Sequence, residues 1–320
     1  MSFASLCLLG VAQAALNNRP IIGILSEPTE RYGNAITASY AKWIESAGAR
    51  AAVVDYNSSA SEVRRLFGSL NGVVLQGSAI RLQYHHEKYW QTATLLFELT
   101  LAAHASGAEP FPIWGTCMGF QTLGILAAGS NTSVLSRAAF DSSDYMADLS
   151  MTADTPHTRI FSSMPEGVKQ TLTSGNATTN DHIDGITLHT LRSNPKLREF
   201  FWAAATSVDR RGQSFISLLE ARHGVPIFAS QFHPEKSLAE FDENPNDPHT
   251  SEEVDASHWL ASFFVQQARL SHRAFATRHA EQDSLVYNIA PHFVSKGTPR
   301  PTQSDTQVYI LPPADQAGLS

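Results

Sequence analysis

Short apolar runs alternate with amphipathic stretches along the first 130 or so positions. Pro20 to Leu25 reads PIIGIL, an apolar run bounded by Pro and Ser, and predicts a buried strand. Ile36, Tyr40, Trp43, Ile44 and Ala47 recur at helical spacing before Gly48, so a helix is expected over residues 36–47. Residues 51–54 predict a second strand, 62–70 a short helix and 72–75 a third strand. A long helix over 86–105, a strand over 111–114 and a helix over 118–128 complete the series. Strands that alternate with helices in this way predict βαβ units. The expected fold class is α/β, with a mostly parallel central sheet flanked by helices.

The pattern changes between about residues 150 and 222. Stretches such as Phe215 to Leu219 alternate and suggest strands that need not be parallel. Val225 to Ser230 is apolar again. A helix is expected over 254–275, with Trp259, Leu260, Phe263 and Phe264 as its core stripe. The chain then turns polar and Pro-rich. Three parts are expected: a leader over 1–14, one catalytic domain over 15–295, and a mostly mobile tail over 296–320 in which Val308 to Leu311 could pair as an edge strand.

The leader reading rests on the apolar stretch Phe3–Val11 followed by the small-x-small site Ala12-Gln13-Ala14, the layout of a secretory signal peptide. No Lys or Arg precedes it, and a buried N-terminal strand or helix is the alternative. Asn57, Asn131 and Asn176 each begin an N-x-S/T sequon, which agrees with an exported, glycosylated chain. Export would place the protein outside the cell or in a lysosome or vacuole. A formal charge of -7 argues against nucleic acid as a partner, and the absence of a later long apolar run argues against a transmembrane helix.

Two cysteines occur, Cys7 and Cys117. Removal of the leader leaves Cys117 alone, either an inert core thiol or a reactive one. Its surroundings favour the second. Residues 111–121 read FPIWGTCMGFQ, an apolar strand, then G-x-C-x-G, then a helix. A nucleophile elbow has this layout, with glycines that admit close backbone packing around a strained turn. The helix N-terminus there favours a thiolate, and the N–H of Met118 can face a developing oxyanion. Of 13 histidines, His233 follows the apolar strand 225–230, and Glu235 stands two residues on, where it could orient the imidazole.

The G-T-C-M-G-F-Q elbow with the downstream Q-F-H-P-E-K segment resembles class I glutamine amidotransferase-like proteins, whose fold is a flavodoxin-like sandwich. Among them the chain is most similar to the γ-glutamyl (folylpoly-γ-glutamate) hydrolase family. Pro20–Leu25, Ala38–Lys42, Glu45–Arg50, Trp114–Cys117, Gln231–Lys236 and Phe263–Val265 carry that likeness. The resemblance implies Cys117 as nucleophile, His233 as base, Glu235 as third member and His182 as a further active-site histidine. It places the second oxyanion donor in the loop Leu75-Gln76-Gly77-Ser78, at Gly77. It implies a folate poly-γ-glutamate as substrate, with no metal and no organic cofactor; a homodimer is an open possibility. Gln121, Ser78 and Arg81 are candidates for substrate binding, and Arg31 and Lys236 are further candidate cations for an anionic substrate.

Two departures from the family pattern stand out. Ser78 occupies the second of two usual glycines, which would strain the loop if that position needs positive φ. Gln121 stands where animal hydrolases often carry Glu and where glutamine-cleaving enzymes have Gln. The competing readings are a glutaminase domain of an amidotransferase and a catalytically impaired binding protein on the same fold.

Overall fold

Strands form where apolar runs can be covered on both sides. The computed structural model describes residues 15–78, 86–241, 247–294 and 306–312. The first six strands are β1 (Ile21–Leu25), β2 (Glu27–Thr29), β3 (Gly33–Thr37), β4 (Arg50–Val54), β5 (Val73–Leu75) and β6 (Ile113–Thr116). They are followed by β7 (Ser142–Ala147), β8 (Ser150–Met151), β9 (Thr178–His182), β10 (Phe201–Val208) and β11 (Ser214–Ala221). The last three are β12 (Ile227–Ser230), β13 (Pro291–Phe293) and β14 (Gln307–Ile310).

The main sheet has eight strands in the order β4-β1-β5-β6-β12-β11-β10-β8. The five strands β4, β1, β5, β6 and β12 run parallel to one another. β11, β10 and β8 extend the sheet in antiparallel fashion. The expected α/β class holds, and the irregular pattern after residue 150 corresponds to this antiparallel extension.

The two-residue period of a strand divides the core. Ile21 and Leu25 join one apolar cluster, Ile22 and Ile24 the other. Val73 and Leu75 part from Val74 in the same way, as Ile113 does from Trp114 and Ile227 from Phe228. Alternate side chains point to opposite faces, so both faces must be covered. Leu96 and Phe97 of the helix Glu87–Ala105 and Phe120 and Leu123 of the helix Met118–Ala127 cover one. Trp43 and Ile44 of the helix Ala38–Ser46 and Leu260 and Phe264 of the helix Ser251–Ala268 cover the other. Trp43 and Trp114 meet there with ring centroids 5.3 Å apart.

Three elements differ from expectation. Ile36 is not helical; it lies in β3 and pairs with Tyr309. Its helical spacing with Tyr40 arises from a strand that runs directly into a helix. The helix expected over 254–275 ends at Ala268. The segment expected as an edge strand in a mobile tail is β14, which sits between β13 and β3 inside a second, four-stranded sheet. Val308 is buried in that position, so the strand Gln307–Ile310 is part of the packed structure.

Candidate active site

Three neighbouring parallel strands each deliver one part of the site at their C-terminal ends. β5 leads to Gly77, β6 to Cys117 and β12 to His233. The carboxyl ends of adjacent parallel strands are where such folds assemble chemistry, because the chain must turn there into a helix or loop.

Cys117 is the turn itself. It has φ 53° and ψ -106° and precedes the helix Met118–Ala127. A side-chain-bearing residue at positive φ is strained, and the surroundings hold it there. Its N–H donates to the Ser230 carbonyl at 2.8 Å, and its carbonyl accepts from Gln121 N–H at 3.0 Å. The flanking glycines admit the close packing. A Cβ on Gly119 would lie 2.1 Å from the Leu75 carbonyl oxygen, and one on Gly115 would lie 2.7 Å from the Gly119 backbone. The Met118 N–H occupies the first turn of its helix, where no intrahelical acceptor exists.

His233 Nδ1 donates to Glu235 Oε1 at 2.7 Å. Burial alone would lower the pKa of this imidazole. The Glu235 carboxylate and Cys117 outweigh that and raise it well above its ordinary value. The His-Pro-Glu segment is braced from behind: the Ser257 hydroxyl donates to the Pro234 carbonyl, and Trp43 Nε1 donates to the Ser257 carbonyl at 3.0 Å. A Cβ at Gly77 would stand 2.7 Å from His233 Cε1 and 3.2 Å from Cys117 Cβ. Only glycine lets this loop lie against both residues.

β9 closes the other side. The Thr179 carbonyl accepts from His233 N–H at 2.8 Å, and the Asp181 carbonyl accepts from the Cys117 thiol at 3.7 Å. At the end of the same strand, His182 Nδ1 donates to the Asp184 carbonyl at 2.9 Å, while its buried Nε2 has no partner among the described residues. Burial pushes this histidine down to about 3, so the ring is neutral and Nε2 carries a lone pair. Phe215 packs edge-on against it at 4.6 Å.

Residues 20–235 match the peptidase C26 family. The chain belongs to this family. It is 33% identical over 300 residues to gamma-glutamyl hydrolase of Rattus norvegicus, covering 89% of this chain and 91% of that one. It is 32% identical to gamma-glutamyl hydrolase B of Dictyostelium discoideum, covering 92% and 84% of the two chains. Gamma-glutamyl hydrolase of Homo sapiens is 31% identical, with 92% and 90% covered.

In this C26 protein several candidates stand differently from their sequence reading. The Gly77 N–H, expected to face an oxyanion, donates here to the Tyr40 hydroxyl at 2.8 Å. Ser78 has no positive φ, and the strain expected from a missing glycine does not arise. Gln121 is buried, and its amide donates inward to the Asp184 carbonyl at 3.1 Å and toward Gln231 Oε1 at 3.5 Å. It braces the loop that carries His182. Lys236 is buried and pairs with Asp247 at 3.4 Å, an internal ion pair and not a cation held out to a ligand. Arg31 is exposed over the Tyr32 ring. Arg81 and residues 1–14 lie outside the described residues. Asn57, Asn131 and Asn176 are all exposed. Among the described residues, no group of three or more His, Cys, Asp or Glu could hold a metal ion.

Sequence reasoning missed Tyr40. It counted as one member of an apolar stripe. The signal available was its phenol: a tyrosine on a core stripe carries a polar tip that needs a partner when buried.

Proposed function

We propose that this chain is a γ-glutamyl hydrolase that works through a Cys117 thiolate, with folate poly-γ-glutamates or other poly-γ-glutamates as substrate. Membership of the C26 family and the gamma-glutamyl hydrolase relatives support hydrolysis of γ-glutamyl bonds. The observation that carries the mechanistic reading is the joint placement of a strained Cys117 at a helix N-terminus and a His233–Glu235 pair on the next parallel strand.

In this reading His233 holds the proton from Cys117 as imidazolium, stabilised by Glu235. The thiolate attacks the γ-carbonyl carbon, and the carbonyl oxygen takes the negative charge, facing the Met118 N–H. The imidazolium then gives its proton to the departing amine, and a γ-glutamyl thioester remains on Cys117. Water, deprotonated by His233, attacks that thioester and releases the carboxylate and the free thiol. No step calls on a metal or organic cofactor. His182, neutral with an acceptor nitrogen, is suited to receive an N–H of the substrate.

The exposure of the three sequon asparagines supports the reading of an exported glycoprotein. The intact mass of protein from its native host checks this; a mass equal to the unmodified 320-residue chain refutes it. The hydrolase reading is tested by product analysis on pteroyl-γ-polyglutamate beside free glutamine, with Cys117→Ala as control. Preference for glutamine, or undiminished activity of Cys117→Ala, would overturn it.

A further inference from the structure

Tyr40 stands just after β3, at the start of the helix Ala38–Ser46, and only 3% of it is exposed. Its hydroxyl oxygen accepts the Gly77 N–H at 2.8 Å and lies 3.4 Å from His233 Nδ1. The proton on Nδ1 is committed to Glu235, because that bond is shorter at 2.7 Å. The hydroxyl proton of Tyr40 is therefore not needed at the imidazole, and the Glu235 carboxylate is the charged group that acts on the phenol. Oε2 of that carboxylate is buried and has no hydrogen bond among the described residues. The phenol stays protonated: burial first, and then the Glu235 charge, raise its pKa well above the ordinary value.

A second contact fixes the same register. Gln76 is fully buried; its Oε1 accepts the Thr37 N–H at 3.0 Å, and its Nε2 donates to the Ala35 carbonyl at 3.1 Å. The loop after β5 is thus tied to the end of β3 immediately before Tyr40, which leaves the phenol little freedom. We infer that Tyr40 is a positioning residue, whose hydroxyl holds the Gly77 loop and the His233–Glu235 pair in one arrangement. This deepens the hydrolase reading and rests on Cys117 and His233 being the reacting pair.

Tyr40→Phe removes one oxygen and keeps the ring, so the fold is expected to survive with an unchanged thermal midpoint. Losing the neutral hydrogen bond to the Gly77 N–H, and with it the hydroxyl beside His233, should lower kcat about threefold to tenfold, with KM within about threefold. Iodoacetamide labelling of Cys117 needs the thiolate but no γ-glutamyl substrate, and its rate should fall several-fold. Labelling should still reach one thiol per chain, since a structural defect would lower the reactive fraction and not the rate. Gly77→Ala provides a second arm. Its added Cβ would meet the Tyr40 hydroxyl at 2.9 Å, so the loss in the double variant should be smaller than the product of the two single losses. A labelling rate within twofold of the parent protein would overturn the inference. So would a loss confined to the labelled fraction, or strict additivity of the two substitutions. A parent protein that labels at Cys117 yet cleaves no γ-glutamyl bond would instead overturn the hydrolase reading, and the labelling comparison would still judge Tyr40.

Discussion

Replacing Glu235 separates the charge of the dyad from its shape. Glu235→Gln retains an oxygen that can accept from His233 Nδ1 but removes the negative charge 2.7 Å from the ring. Both side chains are largely buried, at 2% and 11% exposure, so the charge is poorly screened. A hydrogen bond to a charged group contributes about 1.5–3 kcal/mol and a neutral one about 1. Glu235→Gln should therefore cost about 0.5–2 kcal/mol, a roughly 2- to 30-fold fall in kcat/KM. Glu235→Ala leaves the imidazolium buried without a partner and should cost about 3–5 kcal/mol. The sign with pH follows from His233, whose pKa is raised in the folded state despite the opposing effect of burial. The stabilisation is fully present below the unfolded value of 6.5 and is lost as pH rises through the higher folded value. Urea unfolding of the parent protein and Glu235→Gln between pH 5 and pH 10 measures it, alongside the pH profile of Cys117 labelling by iodoacetamide. The stability gap should be widest at the acidic end and should close on the alkaline side. A gap that is constant with pH, or a labelling profile that superimposes on the parent's, would refute the dyad.

Other consequences follow from contacts elsewhere in the site. Gly119→Ala puts a Cβ 2.1 Å from the Leu75 carbonyl oxygen, a backbone atom that cannot step aside, and should destabilise by about 3 kcal/mol or more in chemical denaturation. The His182 ring should show no titration between pH 5 and pH 8 by NMR, since burial holds it at about 3. Asp247→Ala takes a carboxylate away from the buried Lys236 ammonium, 3.4 Å distant, and should destabilise the protein in chemical denaturation by more than Lys236→Met with Asp247→Leu does; equal losses would show the pair is not coupled.

The amino-acid order alone carried the elbow, because its chemistry is local. A strand, a G-x-C-x-G turn and a helix lie within eleven consecutive residues, and the same chain segment both strains Cys117 and supplies the helix N-terminus. The His233–Glu235 bond was legible for the same reason, since two residues separate the partners. The parallel half of the sheet was legible from runs buried on both faces, such as β1 and β12. What sequence order could not decide are the contacts between distant segments. Tyr40 and Gly77 are 37 positions apart, and their bond exists only because β1 and β5 are neighbours and Gln76 clips β3 to the loop. Lys236 reads as a solvent cation until the chain brings Asp247 against it in a buried place. Ile36 and Val308 become strand residues through pairing across nearly the whole chain, and β3–β14 pairing overrides a helical spacing that was correct only from Tyr40 onward. Side-chain period reports which face of an element is buried. The hydrogen-bond partner of a buried polar group depends on which distant segment that face packs against, and only the tertiary structure fixes that.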